Sequence, residues 1–175
     1  MTNGGIKKYY GKYRAIVLNN IDPEQRGRIL VEIAAIGGLV PSTWALPCVP
    51  IAGLQSGISV VPQVGSNVWI EFEQGDPDYP IWVGGWWGTA TEIPAPALPP
   101  LSNPASPSIV LQTALQNSIS ISDVPGPTGG IMLKSITGAM IIINDTGIYI
   151  NNGKGAMITL VGPAVNINAG ALTII

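Results

Sequence analysis

Hydrophobic and polar positions alternate along much of this chain with a period of two, most regularly between residues 129 and 175. A short apolar phrase returns there. Gly138-Ala139-Met140-Ile141 recurs as Gly155-Ala156-Met157-Ile158 and, more loosely, as Gly170-Ala171-Leu172-Thr173. Between these copies lie Gly147-Ile148-Tyr149-Ile150-Asn151 and Ala164-Val165-Asn166-Ile167-Asn168. Strands are therefore expected to begin near residues 131, 139, 147, 156, 164 and 171, a period of about eight residues that fits one strand plus its turn. Period two places Ile148, Ile150, Val165, Ile167, Leu172 and Ile174 on one face, the expected core, and Asn166, Asn168 and Thr173 on the other.

That period is expected not to close a core within one chain. Each coil of a solenoid takes roughly 24 residues, and about three coils are needed to bury the faces. Residues 129–175 supply fewer than two coils, and the weaker strands Ile109–Leu111 and Ile119–Ile121 leave the total below three. Beyond Glu92 the only charges are Asp123, Lys134, Asp145 and Lys154. So much uncharged surface implies burial against other copies. Three identical chains wound together would supply the missing strands and make an intertwined trimeric β-helix, a triangular β-prism.

The first 92 residues read as five or so strands. Tyr9–Leu18, Arg28–Ile33, Trp44–Ile51 (broken by Pro47 and Pro50), Val68–Glu73 and Ile81–Gly84 are separated by Gly, Pro, Asn and Asp turns, and no window shows an apolar stripe of period 3.6. Short strands of that number suit a small closed barrel such as an OB-fold. Residues 93–107 hold six prolines in fifteen positions, which favours an extended, semi-rigid connector. The expected order is an OB-fold-like domain over 1–92, a linker over 93–107 and a trimeric β-helix over 108–175.

Charge narrows the possible functions. Residues 1–92 carry six basic and eight acidic side chains, and the whole chain has a net charge of −2 with no histidine. Without a basic tract the electrostatic attraction that dominates nucleic-acid binding is missing, and Lys7-Lys8-Tyr9-Tyr10 reads as a solvated edge. The lack of histidine removes the commonest general base and transition-metal ligand. The lone Cys48 is expected as a small buried hydrophobe with nothing to activate it. The uncharged run 155–175 contains Pro163 and two asparagines, so it reads as strands and not as a membrane span. The N-terminus has no basic start followed by an apolar stretch, so synthesis without a secretory signal is expected.

The pattern Pro62-x-x-Gly65-x-x-Val68-Trp69-Ile70-x-Phe72-x-x-Gly75-Asp76-Pro77-x-x-Pro80-Ile81-x-x-Gly84, preceded by Asp22-Pro23-x-x-x-Gly27-Arg28-Ile29-x-Val31, resembles the OB-fold domain of the phage baseplate spike family. That family includes baseplate assembly protein V of contractile-tailed phages, the T4-type tail-needle protein and the VgrG proteins of type VI secretion. The resemblance implies a homotrimer assembled in the bacterial cytoplasm into a phage or related injection particle. It further implies a hub protein at the OB-fold end and a C-terminal β-helix that meets the target membrane. It implies no cofactor. Some short members end in a His-rich iron-binding apex, which this chain cannot build. A separate PAAR-like tip protein, docked on Ile174 and Ile175, would then be needed.

Three groups invite a chemical reading. Glu71 and Glu73, at i and i+2 on an expected strand, would share a face about 6.5–7 Å apart, within the range of an inverting glycosidase; the alternative is the wet face of a strand. Asp76 and Asp78 flank Pro77 and could suggest a calcium loop, but too few oxygens accompany them, and a turn is expected. Trp82, Trp86 and Trp87 are expected at an oligomer interface. Beside the structural spike, two rivals stand: a trimeric tailspike hydrolase using Glu71 and Glu73, and an OB-fold carbohydrate- or nucleic-acid-binding module on a trimerisation stalk.

Overall fold

A computed structural model describes residues 7–37 and 42–174, without the side chains of residues 170, 173 and 174. Ile175, half of the expected tip-docking pair, lies outside the described residues, as does the side chain of Ile174. All regular elements described are β-strands or single 3₁₀ turns. The chain divides into two compact units, 1–88 and 89–175.

The first unit contains β1 (Tyr13–Asn19), β2 (Leu30–Glu32), β3 (Leu46–Pro47), β4 (Ala52–Gly53), β5 (Ser56–Gly57), β6 (Asn67–Phe72) and β7 (Pro80–Gly85). Five strands form one sheet in the order β2-β1-β6-β7-β3, antiparallel except for the parallel pair β3 and β7. The sheet's two ends meet where Ile29 and Ala45 exchange backbone hydrogen bonds of 3.1 and 2.8 Å, so the sheet curls on itself as an OB-fold does. Strict alternation along β6 sends Val68, Ile70 and Phe72 inward, where they meet Ala15, Val17, Ile29, Val31, Ile33, Ala45 and Trp82. Each of these ten is at most 8% exposed.

Tyr9–Gly11 does not extend the first strand. Residues 8–12 instead cross the turn after β6: Tyr9 donates its N–H to the carbonyl of Gly75 at 2.8 Å, Lys8 pairs with Asp76 at 3.1 Å, and Lys12 pairs with Glu71. Gly75 has φ +75, and a Cβ there would come within 2.9 Å of the Tyr10 ring. The segment can lie close only because no side chain intervenes.

The second unit contains β8 (Ile109–Gln112), β9 (Ser118–Ser122), β10 (Gly130–Lys134), β11 (Ala139–Asn144), β12 (Gly147–Asn152), β13 (Met157–Val161), β14 (Ala164–Ile167) and β15 (Leu172–Ile174). They form one sheet in chain order, every neighbouring pair antiparallel. The eight-residue period thus produces a meander of hairpins. Short connections permit antiparallel return but not the longer crossover that parallel neighbours need. The strands expected from other chains are supplied by the chain's own hairpins, since β9–β14 each pair on both sides within the chain. What the unit lacks is a second layer, not strands. The Pro-rich stretch is not uniformly extended either: a 3₁₀ turn at Ala90–Glu92 precedes it and another lies within it at Ala95–Ala97, where the fixed φ of proline is accommodated.

Candidate functional site

The register of the second unit aligns its aliphatic side chains into two unbroken cross-strand rows. One runs Ile109, Ile121, Ile131, Ile143, Ile148, Leu160, Val165; the other runs Leu111, Ile119, Leu133, Ile141, Ile150, Ile158, Ile167, Leu172. The backbone pairing carries the first row on to Ile174. Period-two geometry puts both rows on one face of the sheet. Thirteen of these side chains are exposed, from 36% at Ile148 to 66% at Leu111. Eight strands at about 4.8 Å spacing make the face about 34 Å long and only two side chains wide.

The opposite face differs in chemistry and in cover. Its rows run Val110, Ser120, Met132, Ile142, Tyr149, Thr159, Asn166 and Gln112, Ser118, Lys134, Met140, Asn151, Met157. Residues 91–101 lie over its first three strands, enclosing a cleft of about 530 Å³ with Ser118, Ser120, Met132 and Lys134. Asparagines hold the hairpins: Asn144 Oδ1 accepts the N–H groups of Thr146 and Gly147, and Asn152 Oδ1 those of Lys154 and Ala156. Asn168 belongs to a 3₁₀ turn, where its Oδ1 accepts the N–H of Met157 at 3.0 Å. The chain's own cover thus lies on this mixed face, over its first three strands, while the aliphatic face stays exposed among the described residues.

Ile148, Ile150, Val165, Ile167 and Leu172 all lie in these rows. Sequence reasoning missed their continuation through Ile109, Leu111, Ile119, Ile121, Ile131, Leu133, Ile141 and Ile143. The signal was present as apolar alternation in each strand, but only the register shows that the rows never break.

In the first unit the motif residues are occupied in holding turns. Asp22 accepts backbone N–H groups of Glu24, Arg26 and Arg28 and is forked by the Arg28 guanidinium, with the closest contact 2.6 Å. The Arg28 hydrogen bonds, assisted by those backbone donors, hold the Asp22 carboxyl well below the usual carboxylate range, and Asp22 raises Arg28 in return. Arg28 also lies over the Trp44 ring at 5.6 Å. The Gly27 carbonyl accepts the indole N–H of buried Trp82 at 3.1 Å. Asp76 Oδ1 accepts the N–H of Asp78, which together with Lys8 lowers the Asp76 carboxyl.

The candidate chemical groups are dispersed. Strand β6 ends at Phe72, so Glu73 sits in the following 3₁₀ turn, and Glu71 is paired with Lys12. The shared strand face expected for the two glutamates does not form. Asp76 and Asp78 build a turn, and no cluster of three metal-ligating side chains occurs among the described residues. The three tryptophans part company: Trp82 enters the core, Trp86 packs on the barrel's outside with Trp69 at 5.9 Å and Arg14 at 5.0 Å, and Trp87 is exposed. Cys48, expected buried, is exposed, because it falls just past the two-residue strand β3 whose neighbour Ala45 reaches the core.

Two families' models match separate stretches that together span most of the chain. The first, described as a type VI secretion system/phage-baseplate injector OB domain, matches residues 13–87. The second, described as a phage baseplate V C-terminal trimerisation domain, matches residues 108–173. The chain belongs to the phage baseplate spike family. The barrel of the first unit is its injector OB domain, and the meander with the two aliphatic rows is its trimerisation domain. Among curated proteins none matches the chain. No helix among the described residues is long and apolar enough to cross a membrane.

Proposed function

We propose that the protein is the homotrimeric central spike of a contractile injection machine, with no catalytic step of its own. The observation that carries this reading is the bare aliphatic face on a domain whose family trimerises. A single twisted sheet with one apolar face is not a stable layer by itself and requires a second. Three copies, each turning its two rows inward, give a narrow three-sided prism whose faces are separate sheets. Covering thirteen half-exposed aliphatic side chains contributes on the order of 10 kcal/mol per chain, enough for a permanent assembly.

Mechanical work follows from the same arrangement. Backbone pairing across eight strands resists axial load, and the dry interior cannot be prised open without exposing aliphatic surface. The OB barrel anchors the spike to a hub protein. A separate PAAR-like tip protein covers the free edge of β15 through Ile174 and Ile175, because an unpaired strand edge invites association, and the tipped prism makes the transient contact with the target membrane. The absence of catalysis is supported by the dispersal of the carboxylates: Glu71 is bound to Lys12, and Asp22 and Asp76 are committed to turns.

Sedimentation equilibrium of the purified chain at micromolar concentration tests the assembly. Three times the chain mass is expected, and a monomer overturns the reading. Incubation with bacterial surface polysaccharides tests the role: no release of reducing ends is expected, whereas turnover abolished by Glu71→Gln would return the glycosidase.

A further inference from the structure

Between Glu32 and Glu71 the sequence contains no charged residue, although it lies in the unit that holds most of the charges. Part of this stretch leaves the barrel as an arm. Strands β4 and β5 pair only through Ala52 with Gly57 and Gly53 with Ser56, and belong to no larger sheet. Leu54, at the arm's tip, is 97% exposed, and Ile51, Ile58 and Val60 are exposed along its flanks. An isolated two-stranded hairpin is marginal in water, and this one has no charge to favour its solvation.

The arm and the barrel border an open cleft of about 460 Å³ whose apolar wall is Pro47, Val49, Ile51, Val60, Val61 and Trp82 and whose rim carries the polar Gln25, Arg26, Gln55 and Ser56. One chain therefore carries both an aliphatic knob and a hole with an apolar wall, the two of different shape. A heterologous contact needs two such unlike patches, and under threefold symmetry it closes into a ring. We propose that in the assembled trimer Leu54 of each copy seats in the cleft of the next, so that three arms lock the barrels together. This rests on the trimer proposed above. The partner is a second copy of this chain because the trimerisation domain that follows holds the three barrels at an effective concentration of order millimolar. The uncharged, aliphatic arm meeting an apolar wall with a polar rim is also the anatomy of a specific contact between chains.

The test uses the full chain, purified without any other baseplate protein, with the photo-crosslinking residue p-benzoylphenylalanine at position 54 and, as control, at exposed Tyr79. Irradiation at position 54 is expected to give covalent chain dimers and trimers at least tenfold above the control, mapping to residues 47–61 or Trp82 of another chain. Amide exchange of residues 52–58 is expected to slow about 100-fold relative to an open hairpin, and Leu54→Asp to remove that protection while the trimer mass persists. A trimer whose position 54 yields no chain-to-chain product, or crosslinks only when a hub protein is added, overturns the ring alone. A monomer removes the trimer and the ring together.

Discussion

The two units use the same period-two alternation to opposite ends. In the barrel, curvature turns the apolar face of β6 and its neighbours inward, and ten side chains leave solvent within one chain. In the meander the sheet stays open, and thirteen aliphatic side chains remain exposed. The barrel encloses its core because the strands differ in length and are joined by long, irregular loops that let β3 run parallel to β7 and Ile29 reach Ala45. Seven hairpins of similar length cannot turn a corner of that kind. Regular repetition specifies an open face to share, whereas irregular connections specify a closed core.

The sharpest way to break this comparison is to charge the shared face. Ile150→Asp would place three carboxylates in the interior of the trimer and is expected to leave only monomer at micromolar concentration, at least a 100-fold loss read by sedimentation equilibrium. Asn151→Asp, one residue away on the opposite face, keeps the acceptor for the Gly153 N–H and is expected to leave the trimer intact. Equal effects of the two would contradict the assignment of faces.

The reverse experiment empties the enclosed core. Ile70→Ala, at a fully buried position, is expected to destabilise the barrel by about 2–5 kcal/mol. Calorimetry should show the barrel's transition moving down while the trimer mass stays unchanged. A collapse of both transitions would mean that the units are not energetically separate.

Smaller effects come from the turns that let the barrel close. Asp22→Asn keeps the shape but removes the charge that Arg28 and three backbone donors face, and is expected to lower the barrel's melting temperature by on the order of 5–10 °C. Asp76→Asn, at a more exposed turn, should cost less. The meander's transition should move in neither variant.

The mildest lever is pH. Asp22 and Asp76 both have folded pKa values below their ordinary ones, so their contribution is complete above the unfolded carboxylate pKa, about 4. It is lost as pH falls through the folded values. The barrel's melting temperature is expected to be flat from neutrality down to about pH 5 and to decline below about 4, with a shallower decline in Asp76→Asn.

Much of this was legible from the order of residues. The repeat phrases locate β10–β15 to within a residue or so, because each strand begins beside a glycine at a hairpin: Gly147, at φ +152, would drive a Cβ to 2.4 Å from the Leu160 carbonyl oxygen. The turn chemistry of Asp22, Gly27, Gly75 and Asp76 marked the barrel. The glutamate pair was misread because alternation alone cannot tell where a strand ends. Gln74 at φ 49 turns the chain after Glu73, and nothing in Glu71-Phe72-Glu73 announces it. Cys48 was misread for the same reason, since a two-residue strand carries too little pattern to assign a face.

The sequence by itself determined that the protein is all-β, that its charges lie early, and that its second half carries more apolar surface than one chain can bury. These are local or compositional facts, set by side-chain period, turn residues and charge count. Tertiary structure decided that the meander pairs within its own chain, that its aliphatic residues join in two continuous rows, that residues 91–101 lie over the first strands of the other face, and that an uncharged arm stands beside a cleft with an apolar wall. Each depends on register or on contacts between residues distant in sequence, and a one-residue slip in register would turn every side chain of a strand to the other face.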